Sequence, residues 1–301
     1  MPLILIDSLF ESITLQVYCS SYSPMPIQLL CPVCQELLSN TSAGVSCDSN
    51  HQFDRARQGY LNLLPSNKKK SKRPGDDGDM VEARARFLDK GYYLPVVQSL
   101  VNLINGFALP AVQVLDAGCG EGYYTADIQK SVHNSDVCGV DISKPAILSA
   151  SRRSKDIDWL VASVSELPLM DDQFDVIISV FSRTDWLEFL RVLKPGGHIL
   201  MVTPGQHHLM ALRQLIYQDV RFYPEDKWLH DLPENLSLVG TQSIHELMVL
   251  SGGGTIMDLL TMTPHYWHVK PEQKTRLEQM DTLECELEIR IAVIKRIEET
   301  P

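Results

Sequence analysis

The sequence predicts an α/β protein: a doubly wound parallel sheet preceded by a small cysteine-rich module that binds a metal. Three observations lead there. Short apolar runs alternate with helical patterns between residues 112 and 203, which is the pattern of a parallel sheet with helices on both faces. The first of these runs, VQVLD, ends in an acid and opens onto the glycine-rich turn GCGEG at residues 118–122. Upstream, three cysteines and a histidine crowd into residues 31–51.

Length and composition set the outer bounds. A chain of 301 residues is long enough for two domains. Its 44% apolar and 22% charged content is ordinary for a soluble globular protein. No run has the length and purity of a membrane span. The opening MPLILIDSLF has no Lys or Arg ahead of it, and Asp7 and Glu11 interrupt its apolar character, which argues against a signal peptide. Seven cysteines, an odd number outside any disulfide-like framework, fit a reducing, cytoplasmic setting. The net charge of −11 argues against nucleic acid, but the distribution matters more. Residues 51–73 hold seven Lys and Arg against the single acid Asp54, a +6 stretch in an acidic chain.

The cysteine cluster reads Cys31-x2-Cys34-x12-Cys47-x3-His51. A CxxC pair sits on a tight knuckle that aims two sulfurs at one ion, and a second pair a dozen residues on completes a tetrahedron. Asn40, Ser42 and Gly44 suit a hairpin that brings the two pairs together. A redox reading of CxxC would need a thioredoxin-like context, which the flanking sequence lacks. Four protein ligands leave no open position, so the expected zinc is structural. Cys19, Cys119, Cys138 and Cys285 fall outside the template and read as packing residues.

The sheet follows in order. Residues 112–116 form the first strand, and the turn through Gly118, Gly120 and Gly122 leads into a helix from Tyr123. A full dinucleotide fingerprint would need glycine where Tyr123 stands, so the pyrophosphate clamp is imperfect. The loop still lets backbone approach a ligand closely. The second strand, residues 137–140, ends at Asp141, whose carboxylate can accept hydrogen bonds from two ribose hydroxyls. Ser143 caps the next helix. A third strand is expected at residues 159–162, a turn at Leu167 and Pro168, and a buried fourth strand at 174–180. A helix over 185–193, ended by KPGG, precedes a fifth strand at 198–203. Residues 244–250 and 283–294 are apolar enough for closing strands, with a loop, a short helix and a turn between them.

At this point the motifs VLDAGCGEGYYT, GVDIS, ELPLMDDQFDVIIS and RVLKPGGHILMVTP resemble the Rossmann-like class I S-adenosylmethionine-dependent methyltransferases. The zinc template joined to HQFDRARQGYLNLLP, ARARFLDKGYY and TPGQHHLMALRQLIY narrows the resemblance to the bacterial 23S rRNA (guanine-N1)-methyltransferases, the RlmA or RrmA family. The resemblance implies that Cys31, Cys34, Cys47 and His51 hold the zinc. It also implies that Gly120, Glu121, Tyr93 and His208 contact the cofactor, alongside Gly118, Gly122 and Asp141. One departure stands out: residues 181–184 read Phe-Ser-Arg-Thr, where the family carries an aromatic followed by Ala-Pro. In class I enzymes that strand tip faces the target base.

The implied organisation is an extension at 1–26, a zinc-binding RNA-recognition module at 27–66, a basic linker and helical region at 67–110, and the methyltransferase domain at 111–301. Residues 1–24 have no counterpart in the family, which favours a true start at Met25 over an extension that packs Leu3, Leu5, Leu9, Phe10 and Ile13. The implied reaction is attack of guanine N1 on the sulfonium methyl, with a 23S rRNA hairpin as partner and a homodimer as a family tendency. The sequence assigns no catalytic base. A small-molecule methyltransferase, for a quinone or another metabolite, shares the LP and KPGG signatures but does not explain a zinc knuckle followed by KKKSKR. A zinc-ribbon RNA-binding protein with an inert second domain is disfavoured by the intact loop and Asp141.

Overall fold

A computed structural model of the chain describes residues 26–65, 67, 74–223 and 227–298. Residues 1–25 of the expected extension and the lysine-rich run at 68–73 lie outside the described residues.

The chain opens with a three-stranded antiparallel sheet of β1 (Ser39–Asn40), β2 (Gly44–Ser46) and β3 (Gln52–Asp54). The expected hairpin joins the first two strands: Asn40 faces Val45, and the Thr41 N–H donates to the Gly44 carbonyl at 2.9 Å. The next strand, β4 (Leu61–Asn62), leaves this small sheet and becomes the outermost strand of the large one. Two helices follow, α1 (Gly78–Leu88) and α2 (Leu94–Gly106). Asp77 caps α1 by accepting from the Met80 N–H at 2.9 Å. Proline in the first turn of α2 starts that helix without losing a bond.

The α/β succession then runs β5 (Val112–Ala117), α3 (Tyr123–Ser131), β6 (Ser135–Asp141), α4 (Lys144–Arg153), β7 (Asp158–Val161), β8 (Phe174–Val180), α5 (Trp186–Val192) and β9 (Leu193–Pro204). The chain closes with α6 (Met210–Ile216), β10 (Leu236–Ser251), α7 (Gly253–Thr261), α8 (Pro271–Glu278) and β11 (Thr282–Arg296). Eight strands form one sheet in the order β10-β11-β9-β8-β5-β6-β7-β4. The strands from β4 to β9 pair in parallel, and β11 enters antiparallel between β9 and β10. The strand order reverses at β5, between β6 and β8. That switch point opens a crevice at the carboxyl ends of the strands.

Strand alternation splits the interior into two cores. Val114, Val137, Trp159, Val176 and Leu200 face one side, where Phe87, Leu100, Ile128, Ile147 and Leu259 of five helices cover them. Leu115, Cys138, Leu160, Ile177 and Ile199 face the other. Helices were expected on both faces, but among the described residues α5 is the one α-helix on this second side, through Phe189 and Val192, with Trp228 of a short 3-10 turn beside it. The crossover at residues 162–173 carries no helix. Its place is taken by the N-terminal module, whose Leu29, Cys31, Val45 and Cys47 join the same core. Leu29 bridges to Leu169, the Leu30 N–H donates to the Pro168 carbonyl at 2.9 Å, and Leu63 bonds Val161 at 3.0 Å.

Two local expectations are revised. The helix expected over 185–193 stops at Val192, and KPGG does not simply end it. Leu193 already pairs with Phe174, and the next pair is Val176 with His198, so residues 194–197 loop out as a bulge within β9. The first closing strand also runs well beyond the apolar core that announces it, since β10 starts at Leu236 and pairs with β11 in a ladder from Leu236–Arg296 to Ser251–Thr282.

Candidate active site and metal centre

The knuckles come first. Cys31 and Cys34 flank one tight turn, in which the Gln35 N–H returns to the Cys31 carbonyl at 2.8 Å. Cys47 and His51 flank another, closed by Asn50 N–H to the Cys47 carbonyl at 3.0 Å. Gln35 and Asn50 each take a positive φ, near 60°, to complete these turns. Glu36 ties the knuckles together, accepting from the Ser49 hydroxyl at 2.8 Å and the Ser49 N–H at 2.9 Å. All four candidate ligand atoms fall within 4.8 Å of one another. Cys34 Sγ lies 3.5 Å from Cys47 Sγ, which lies 3.3 Å from His51 Nδ1. A tetrahedron built on Zn–S bonds of about 2.3 Å separates its sulfurs by about 3.8 Å. The donor set therefore fits zinc, and four protein ligands close its coordination.

The second site is a cavity of about 900 Å³ at the switch point. That is the upper end of a small-molecule pocket, with room for a cofactor and one base. The three loop glycines have different duties. A Cβ on Gly118 would fall 2.4 Å from Ser182 Cβ, so this glycine lets the β8 tip close over the loop. A Cβ on Gly120 would meet only Arg84, at 3.6 Å, so here the backbone lies open to the cavity at φ +56°. Gly122 packs against the Trp159 ring and Ala150.

Asp141 stands at the tip of β6. Its carboxylate accepts from the Gly120 N–H at 2.9 Å and the Ser143 N–H at 2.7 Å, and Ser143 also caps α4. Burial raises its pKa, and these two amide donors pull it back down. Each oxygen keeps a lone pair for a ligand. The Glu121 side chain is buried on the cavity wall near Arg84 and 3.5 Å from Arg153. Its pKa is raised by burial and restrained by those two cations.

Tyr93 and His208 lie 115 residues apart in the chain, yet the structure brings them together: the Tyr93 hydroxyl is 3.3 Å from His208 Nε2. Burial, then the nearby Arg213 cation, pushes His208 down to about 3, so its ring is neutral. His208 Nδ1 is buried without a hydrogen-bond partner among the described residues. Phe181, on the β8 tip, stacks on the His208 ring with centroids 6.0 Å apart and keeps 45% of its surface exposed. Its φ of +50° is a strained setting for an aromatic residue, of the kind that gathers at functional sites.

Four further residues line this cavity and were not singled out by sequence reasoning. Asp116 accepts from the Thr125 hydroxyl at 2.6 Å through one oxygen, while the other is buried and unpartnered. Burial raises its pKa to about 7, against the pull of Thr125. The acid closing VQVLD was the available signal. Arg84 of α1 pairs with Asp76 and donates to the Met262 carbonyl at 3.1 Å. Tyr223 and His265 also line the cavity. Their sequence surroundings carry no signal of that placement.

An orphaned carboxylate oxygen, an orphaned imidazole nitrogen and an open glycine at one cavity are polar features that S-adenosylmethionine fits. Fold and site together define a class I S-adenosylmethionine-dependent methyltransferase that carries a zinc ribbon. Residues 29–72 match the family model described as RlmA, N-terminal, and residues 114–197 match a methyltransferase domain. The 23S rRNA (guanine(748)-N(1))-methyltransferase of Streptomyces fradiae is 32% identical over 253 residues, 82% of this chain and 89% of its own length. YxjB of Bacillus subtilis is 30% identical over 284 residues, 87% of this chain and 95% of its own. The ubiquinone/menaquinone C-methyltransferase UbiE of Desulfotalea psychrophila is 31% identical over 124 residues, which is 38% of this chain and 48% of its own. The chain belongs to the 23S rRNA (guanine-N1)-methyltransferase family.

Proposed function

We propose that this chain transfers a methyl group from S-adenosylmethionine to N1 of a guanine in a hairpin loop of 23S rRNA, in the cytoplasm. One observation carries the reading: an open cavity at the switch point, mostly apolar with a few polar groups in its wall, shares its sheet with a closed four-ligand metal cluster. A quinone or metabolite methyltransferase has no use for the second feature.

Asp141 would take the ribose hydroxyls with its free lone pairs. The orphaned Asp116 oxygen suits the cofactor's ammonium, and Arg84 suits its carboxylate. Gly120 lets the chain backbone lie close against that part of the molecule, and the Tyr93–His208 pair walls the cavity nearby. S-adenosylmethionine supplies a methyl already activated on a sulfonium, so the protein's share is alignment and exclusion of water. The exposed Phe181 ring offers a stacking face to a guanine turned out of its loop. The +6 stretch of residues 51–73 would hold the RNA backbone by displacing its counterions. A second copy would pair at the edge strand β10, where Leu247 and Val249 stand exposed, at the end of the sheet opposite β4.

The test uses tritiated S-adenosylmethionine, purified protein and unmethylated large-subunit rRNA, followed by reverse transcription. A methyl on N1 blocks base pairing, so copying halts one nucleotide short of a single hairpin guanine. Incorporation without a halt would mean another atom is methylated. Cofactor binding without any incorporation would point to a small substrate.

A further inference from the structure

Guanine N1 holds a proton that must leave as the methyl arrives, and the residues given a role under Proposed function are not assigned to it. A chain of three groups that starts in the cavity wall can take it. The Tyr223 hydroxyl lies 2.8 Å from His265 Nε2, and on the far side of the same ring the Tyr217 hydroxyl lies 2.9 Å from Nδ1. Tyr223 and His265 line the cavity. Tyr217, at the end of α6, does not line it and is partly exposed to solvent. Burial raises the Tyr223 pKa and keeps the phenol neutral, and the Arg213 guanidinium, 4.1 Å above the ring, offsets part of that rise. It is itself buried and held by the carbonyls of Gln206, His208 and Arg221.

We propose that Tyr223, His265 and Tyr217 form a proton relay that carries the N1 proton of the target guanine from the cavity to solvent. The proposal rests on the reading under Proposed function. Tyr223 is the catalytic residue of the three, since it faces the base. His265 and Tyr217 act through it.

The balance closes without a charged intermediate on the protein. A neutral imidazole has one N–H, so one tyrosine donates to the ring and the other accepts from it. In the starting arrangement the Tyr223 O–H donates to Nε2, Nδ1–H donates to the Tyr217 oxygen, and the Tyr223 lone pair faces the cavity. The N1–methyl bond forms as the sulfur–methyl bond breaks, and the bonding pair of the latter stays on sulfur. The N1 proton passes to Tyr223, the Tyr223 proton to Nε2, the Nδ1 proton to Tyr217 and the Tyr217 proton to water. The positive charge of the sulfonium thus leaves as one proton in solvent, and the ring ends in its other tautomer. A second proton pass in the reverse sense, with solvent as source and sink, restores the starting arrangement.

The ring must be neutral for this to work. Burial, then Arg213 and His268, pushes His265 down to about 4. Among the described residues, those two, His208 and the two tyrosines are the charged or titratable groups facing it.

The experiment compares single-turnover methylation by the full-length protein and by Tyr223→Phe between pH 6 and 10, scored by the reverse-transcription halt. The wild-type rate should vary little across the range. The variant should be slower at pH 7 by roughly a hundredfold or more, and should recover about tenfold per pH unit as hydroxide replaces the relay. His265→Gln should show the same slope. S-adenosylhomocysteine affinity, measured by calorimetry, should be unchanged in both. Independently, nitrogen-15 NMR of the wild-type protein should find the His265 ring neutral at pH 6. A variant rate equal to wild type at every pH, a loss of cofactor affinity parallel to the loss of rate, or a His265 that titrates near 6.5 would each overturn the relay. If the wild-type protein leaves no methyl on the RNA, the functional reading itself fails and the relay falls with it.

Discussion

The metal cluster and the cavity answer opposite demands. The four ligand atoms of the cluster come from residues 31–51 and turn toward one point. The cavity draws on residues from Gly75 to His265 and leaves an Asp116 oxygen and His208 Nδ1 without partners among the described residues. A site that holds structure can be finished when the chain folds. A site that must bind and release a ligand has to stay unfinished. The contrast says which losses should fall on stability and which on affinity.

The largest effect is expected at the cluster. Replacing Cys47 with Ser removes one of four ligands from a site whose metal-binding energy is also folding energy, on the order of 10 kcal/mol for small zinc modules. Cys31 and Cys47 are also core residues under the sheet, so the damage should spread to the methyltransferase part. The zinc content should drop below one per chain and the melting temperature should fall by about 10 °C or more. A variant that loses zinc and melts like wild type would mean the two regions are energetically separate.

Arg84→Met should do the reverse. Zinc content should hold and melting should fall by less than in the Cys47 variant, from the lost Asp76 and Met262 contacts, while S-adenosylhomocysteine binding weakens by roughly tenfold to a hundredfold, the scale of a charge-assisted pair. Methylthioadenosine lacks the amino-acid portion and should bind both proteins alike. If it loses affinity equally, Arg84 supports the pocket as a whole and does not hold a carboxylate.

Asp116→Asn sharpens the contrast with the smallest effect. Its folded pKa of about 7 lies above the ordinary 3.8, so the folded protein keeps a proton that the unfolded chain releases. Its contribution is therefore complete below about pH 4 and is lost as pH rises through 7. The amide variant has no such loss and can still accept from Thr125. The variant should gain on wild type steadily from pH 4 to 7 and stay ahead by a few degrees above it. Parallel melting curves across that range would remove Asp116 from the account, and saturating S-adenosylhomocysteine should narrow any gap.

The two regions were also unequally legible. The cluster reads from the sequence because all its ligands fall within one short template, and the glycine loop and Asp141 read because they close neighbouring strands. Tyr93 and His208 were accessible only by resemblance to a family, since no local pattern marks two residues 115 positions apart as partners. Arg84 falls inside the motif ARARFLDKGYY without being singled out there, and Tyr223 and His265 carry no signal, because the role of all three comes from which helix or turn crosses the cavity. β4 was missed because two residues are too short for periodicity, and its partner Leu160–Val161 lies about a hundred positions away. The empty crossover at residues 162–173 is a visible gap between strands, but nothing in it says that a distant ribbon fills the space.

That ribbon and β4 have a consequence for how an RNA would be measured. Leu61 and Asn62 stitch the end of the ribbon to the sheet edge, while Leu29 and Leu30 pin its start beside Leu169 and Pro168. Fastened at both ends, the ribbon cannot swing. Any RNA gripped there is held at a set distance from the cavity, like stock against the fence of a saw. The nucleotide that receives the methyl would then be chosen by its distance along the hairpin, and lengthening the hairpin stem by one base pair should move the reverse-transcription halt by a corresponding step.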